Sequence, residues 1–181
     1  SVTCTSQQFD ISRYLFEEPE LVCTVGARGW VEMEDYDTDD VSVTAMRFRN
    51  GALGVLATGC YATEGARFDS KITFSARDKR EVHKIISSFE VFEKAKADRI
   101  DVEGFVVKGD GGLGKSSGVT TYKQEGDAGI PCDRTFVEAV VSGDASKIRS
   151  PYEDALKSLI FTMACNESME TGLPVSYTHL R

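Results

Sequence analysis

Arg47-Phe48-Arg49-Asn50-Gly51-Ala52-Leu53-Gly54-Val55-Leu56-Ala57 is the stretch that decides the fold. Two strand-like runs meet at Asn50-Gly51, and the pair predicts a hairpin with a type I′ turn, which needs positive φ at both central positions. Antiparallel pairing follows. The run Leu53–Ala57 is apolar at every position, whereas a sheet with one solvated face would alternate. The sheet is therefore expected to be covered on both sides, by helices on one and by a partner domain or subunit on the other.

Outward from the hairpin, residues 20–30, 41–48, 52–60, 70–75, 81–86, 90–94 and 101–108 are short runs rich in Val, Ile, Thr and Phe. Turn residues separate them, so they read as successive strands. Ahead of them, Phe9, Ile11, Tyr14 and Leu15 are apolar at roughly helical spacing, with Thr5 or Ser6 as cap. In the last third, Asp133 is the expected cap of a helix with Phe136, Val137, Val140 and Val141 on one face and Gly143 at its end. Ser150-Pro151-Tyr152-Glu153 is the next helix start, with Ser as cap, Pro at the first helical position and Glu at the third. From there Leu156, Leu159, Ile160 and Met163 predict a long helix packed on the sheet, stopped at Gly172 and Pro174. Residues 108–129, with seven glycines, read as a long loop. The fold class is α+β: an open, mostly antiparallel sheet with helices packed on one face, the other face available for oligomerisation.

With 181 residues, 41% of them hydrophobic, the chain is long enough for one domain with a real core. A formal charge of -8 argues against a phosphate backbone or an anionic membrane as partner. No apolar run reaches the roughly 18 residues of a membrane span, and no secretory signal is visible. The five cysteines, Cys4, Cys23, Cys60, Cys132 and Cys165, are odd in number and widely spaced. They read as reduced thiols, which points to the cytoplasm.

Two strings and two residue pairs invite sharper readings. Gly109-Asp110-Gly111-Gly112-Leu113-Gly114-Lys115-Ser116 fits GxxxxGK[ST], in which backbone N–H groups cradle phosphates. A glycine and β-branched residues follow where a helix should begin, so a surface loop is the better reading. Asp35-Tyr36-Asp37-Thr38-Asp39-Asp40 opens like a calcium loop, but Asp40 replaces the required Gly and Met46 the closing Glu. His83 and His179 have no ligand-spaced acid or thiol and read as strand surface and tail, so no metal site is expected. Asp10 and Arg13 read, on spacing alone, as a surface ion pair.

Taken in order, QxxDxxRYLF (residues 7–16), RFxNGALGVL (47–56) and SPYEDALKSLIFTMACNESMETGLPVS (150–176) resemble the C-terminal, substrate-binding and oligomerisation domain of the Gfo/Idh/MocA oxidoreductases. The resemblance spans nearly the whole chain and is weakest over 101–131. It implies a single domain over 1–181, with the N-terminal Rossmann domain absent from this chain. NAD or NADP is then implied for a full-length parent, with no cofactor site here. The substrate would be a sugar, polyol or related hydroxy compound, and the partners the missing Rossmann domain and further copies, as a homodimer or higher oligomer through the sheet face.

The family's lead-in, (Asp/Glu)xxxHxxD, places Gln7 at the position of the catalytic His, Thr3 at that of the carboxylate, and Asp10 at the final Asp. A Gln amide can orient a hydroxyl but has no basicity near neutral pH. The isolated chain is expected to be inactive. The alternatives are a dimerisation or ligand-binding domain that has lost the His and, more remotely, nucleotide binding at 109–116.

Overall fold

The computed structural model describes residues 6–28, 39–59, 71–77, 79–84, 88–93, 119–123, 125–127 and 129–177. The chain divides into two compact units, Ser1–Ala66 with Ile148–Arg181, and Arg67–Lys147.

The first unit holds α1 (Ser6–Phe16), β1 (Pro19–Ala27), β2 (Val41–Phe48) and β3 (Leu53–Gly59). In the second are β4 (Lys71–Ser75), β5 (Lys79–Lys84), β6 (Ser88–Glu93), β7 (Val119–Lys123) and α2 (Gly129–Ser142). The chain then returns to the first unit with α3 (Tyr152–Thr171) and the short β8 (Val175–Ser176). The class is α+β as expected. Its strands form two open four-stranded sheets, ordered β3-β2-β1-β8 and β4-β5-β6-β7, with every pair antiparallel.

In the first unit the register Val22↔Met46, Thr24↔Thr44 and Met46↔Gly54 lines up one face of the sheet. That face meets α3 and α1 in a core of Phe9, Val22, Met46, Phe48, Phe161, Ala164, Cys165, Val175 and Tyr177. Gly54 matters to this layer, because a Cβ there would come within 2.9 Å of Met46 Cγ. The opposite face carries the rows Cys23–Ala45–Val55 and Val25–Val43–Ala57. Val25 is 65% exposed, Leu53 80% and Val55 74%. One side of the apolar strand is thus covered by the unit's own helices, and the other lies open.

Several local expectations are corrected. The hairpin is antiparallel, but Gly51 takes positive φ (86°) and Asn50 does not. Phe48 N–H bonds to Ala52 O and Gly51 N–H to Phe48 O, which closes a three-residue loop in place of the type I′ turn. Asn50 serves the loop through its side chain, accepting from Ala52 N–H and donating to Phe16 O at the end of α1. The N-cap of α3 is Pro151, with no side-chain cap bond, so Ser150 is not the cap. Asp154 and Ala155 N–H bond to Pro151 O, while Glu153 and Asp154 put negative charge at the helix's positive end. Gly172, at φ 68°, ends α3 as expected.

The inward face of α3 is also not the one the apolar spacing indicates, although Ile160 of that stripe is half-buried against the core. Ser158, Phe161, Thr162, Ala164, Cys165 and Ser168 are buried, while Leu156, Leu159 and Met163 are exposed. Small and hydroxyl side chains let the helix lie close to the sheet and tie it there: Ser168 Oγ accepts from Thr24 N–H (2.9 Å) and donates to Leu173 O (2.7 Å). Thr24 and Thr44 share a hydrogen bond of 3.0 Å beside Cys165, whose thiol burial pushes up to about 11.

In the second unit an aromatic row crosses the sheet. The ring of His83 stacks on Phe89 at 4.3 Å and meets the edge of Phe74 at 5.4 Å, and Phe89 stacks on Tyr122 at 5.5 Å. β7 lies inside the expected glycine-rich loop. α2 begins at Gly129, four residues before Asp133, because Asp127 Oδ1 accepts from Gly129 N–H at 2.8 Å. No residue of α2 is buried, and Phe136, Val137, Val140 and Val141 are all more than half exposed.

Candidate functional site

The site residues expected from sequence fall on α1. Gln7 and Asp10 are one helical turn apart, Gln7 exposed and Asp10 half-buried. Thr3 lies outside the described residues, as do the strand at 101–108, the glycine-rich string 109–116, most of the acidic string, and Cys4, Cys60 and His179. His83 does sit on a strand, 3.7 Å from Glu81. Lys79 beside Glu81 holds that carboxyl below its ordinary value by hydrogen bonding. Among the described residues no group of three or more His, Cys, Asp or Glu is placed to hold a metal ion. Cys23, Cys132 and Cys165 are free thiols. No described helix is long and apolar enough to cross a membrane.

Arg13 is no surface residue. It is 7% exposed and lies between α1 and α3. Its Nη1 donates to Asp154 O (3.1 Å) and to Ser158 Oγ (2.7 Å), and its Nη2 to Asp154 Oδ1 (2.8 Å) and Glu18 Oε1 (3.3 Å). Burial works against the guanidinium's charge, but the Asp154 hydrogen bond and the charge of Glu18 outweigh it and hold the pKa above its ordinary value. In return Arg13 keeps the Asp154 carboxyl below the usual carboxylate range. Lys157 adds a second cation, 3.7 Å from Glu18.

The cluster reaches the expected site through one hydroxyl. Ser158 Oγ accepts from Arg13 and donates to Asp10 Oδ1 at 2.6 Å, while Arg13 Nη1 stands 3.7 Å from the same oxygen. A hydroxyl polarised by a cation is a stronger donor, so this relay fixes the orientation of the Asp10 carboxylate. The arrangement can therefore hold a hydroxyl-bearing molecule by one oriented acceptor and one amide. Gln7 supplies hydrogen bonds but no proton-accepting base. Sequence reasoning missed Ser158, Asp154 and Glu18. The signal was present in Phe9, Arg13 and Phe16, whose 4-and-3 spacing puts the Arg on the apolar side of α1.

No protein-family model matches the chain, and no curated protein does. Solved structures do. Levoglucosan dehydrogenase in complex with NADH is similar with a TM-score of 0.73 at 18% identity, over 96% of this chain and 48% of that one. An oxidoreductase from Agrobacterium radiobacter in complex with NAD+, L-tartaric acid and magnesium matches with 0.68 at 14%, over 97% and 48%. WlbA dehydrogenase from Bordetella pertussis in complex with NADH and UDP-GlcNAcA matches with 0.61 at 16%, over 96% and 43%. At such identities the likeness establishes the fold. The chain spans about half the length of each of these proteins.

Proposed function

We propose that the chain is the C-terminal, substrate-side and oligomerisation domain of a Gfo/Idh/MocA-like, NAD(P)-dependent oxidoreductase acting on a sugar, polyol or related hydroxy compound. The observation that carries this reading is the one-sided coverage: nearly all of this chain against about half of oxidoreductases that hold NAD+ or NADH. The other half, in this reading, is the Rossmann domain that binds the cofactor and is supplied by the parent protein. When bound, the cofactor accepts or gives a hydride; the residues here bind and orient the substrate.

In that role Asp10, its carboxylate oriented by Ser158 and Arg13, accepts a hydrogen bond from a substrate hydroxyl. Gln7 donates or accepts a second one, and Thr3 stands at the position of the family's carboxylate. The open face of the first unit's sheet, with Val25, Val43, Leu53 and Val55 exposed, suits a second copy of the chain. We assign the protein to the cytoplasm on its free thiols.

The test is to titrate NAD(H) and NADP(H) against the 181-residue chain and against the full-length parent. Binding to the parent and none to the chain is expected; tight stoichiometric binding to the chain alone overturns the reading. Gln7→His in the parent then separates the two forms of the proposal. A large gain in turnover marks an enzyme that lost its base, and no change favours a ligand-binding or dimerisation domain, the reading that Gln7's missing basicity supports.

A further inference from the structure

We infer that the molecule taken at the site is uncharged or positively charged where it meets this chain: a plain polyol or an amine-bearing one, and not a carboxylate, a phosphate or a nucleotide-linked sugar. The inference deepens the functional reading above and rests on it, in that the substrate is held against α1. It is carried by the surroundings of one guanidinium and one carboxylate.

A side chain that recognises an anion is a cation with N–H groups to spare, most often a bidentate Arg. The cation beside Asp10 is Arg13, and it has none to spare. Its Nη1 and Nη2 each donate two hydrogen bonds, to Asp154 O, Ser158 Oγ, Asp154 Oδ1 and Glu18 Oε1, and the side chain is 5% exposed. Its charge is shared among three carboxylates, those of Asp10, Glu18 and Asp154. Lys157, the second cation of the cluster, already stands 3.7 Å from Glu18. The surplus charge of the cluster is therefore negative.

That surplus meets solvent at Asp10. Its Oδ1 accepts from Ser158 at 2.6 Å, nothing among the described residues bonds to its Oδ2, and its side chain is 37% exposed. An exposed carboxylate oxygen held in one direction accepts from a hydroxyl or an ammonium and repels a second anion. The first turn of α1 has no acidic residue, so its positive end attracts anions, but with about half a charge against the full charge of Asp10. Farther out the balance has the same sign. Lys and Arg equal Asp and Glu in number in the second unit, so the chain's formal charge of -8 falls on the first. There Arg28 is 3.8 Å from Asp39 and Arg47 2.9 Å from Glu20, so these cations too are answered by carboxylates. The field of this unit turns anions away before they arrive.

Initial rates of NAD(P)+ reduction by the full-length protein test this, with NAD(H) binding measured alongside. The probes are matched sets: glucose, glucosamine and glucuronate; galactose, galactosamine and galacturonate; myo-inositol and inositol 1-phosphate. In each set that is oxidised, kcat/KM for the neutral or amine-bearing member is expected to exceed that for the acidic member by about tenfold or more. Salt at about 0.5 M is expected to narrow the gap several-fold by screening. Asp10→Asn, which keeps the shape and an acceptor for Ser158, is expected to narrow it as much, chiefly through a lower KM for the acidic member. Preference for an acidic member overturns the inference, and so does a gap that neither salt nor Asp10→Asn moves, since shape and not charge would then select; the functional reading survives both. A full-length protein that binds NAD(H) and oxidises none of the probes refutes the substrate class and leaves the cofactor reading standing. Absence of NAD(H) binding by the full-length protein brings down the functional reading, and this inference with it.

Discussion

Phe161 and Leu159 stand two residues apart on the same helix, and one is 0% exposed while the other is 52% exposed. Both are large and apolar, so composition alone gives no reason for the difference. What separates them is the company each keeps: Phe161 shares its face with Ser158, Ala164, Cys165 and Ser168, which let the helix sink onto the sheet. Leu159 shares its face with Tyr152, Leu156 and Met163, which hold a surface outward. A stripe of large side chains is thus a demand for cover, and the cover need not come from the same unit.

The sharpest way to break that comparison is Phe161→Ala. Its ring packs on Phe9 at 4.4 Å and on Tyr177 at 6.2 Å, so truncation opens a cavity at the centre of the core. We expect a loss of about 3–5 kcal/mol in urea unfolding. A loss below about 1 kcal/mol would mean that the inner face is not the packed one.

Next in size is Arg13→Ala, which removes the cation joining α1 to α3 and takes a hydrogen-bond donor from each of Asp154, Glu18 and Ser158. Full burial of such a cluster would make the cost about 3–5 kcal/mol; the partners are partly exposed, so about 2 kcal/mol is expected. The shape-preserving Arg13→Met should recover part of it, since the stem is as buried as the head. Ser168→Ala follows at about 1–3 kcal/mol, because it leaves the buried Thr24 N–H without its acceptor.

Acid titration probes the same clamp. Asp154 has its folded pKa depressed by Arg13, so its contribution is present above the unfolded carboxylate value of about 3.9 and is lost as pH falls through the lower folded value. The unfolding free energy measured across that window should fall less steeply with acid in Arg13→Met than in the unaltered chain. Equal slopes would mean that Asp154 is held by something else.

The course of the chain was legible where local chemistry is decisive. β2 and β3 could be placed from the Asn50-Gly51 pair, and the end of α3 from Gly172, since each depends on backbone preferences within a few residues. Which side of α3 faces inward was not legible, because Leu156, Leu159 and Met163 mark an apolar stripe without saying which surface meets it. β7 was hidden by the glycines around it, and the start of α2 by Asp127, which lay in what read as loop. Of the candidate site, Gln7 and Asp10 were expected from the resemblance alone. Ser158 and Asp154, about 150 residues further on, belong to it through tertiary contact alone, which one sequence does not encode in any local pattern.

The smallest expected effect is the most telling. Leu159→Ser in the isolated chain removes as large an apolar side chain as many core truncations do. Half of Leu159 is already in solvent, though. The loss should stay within about 0.5 kcal/mol, plus a few tenths for the weaker helix propensity of Ser, and should leave the unfolding slope unchanged. If the chain's own segments covered this face, the same substitution would open a cavity and cost several times more. A near-neutral result beside a costly Phe161→Ala would therefore mean that the outer stripe contributes little to holding this unit together.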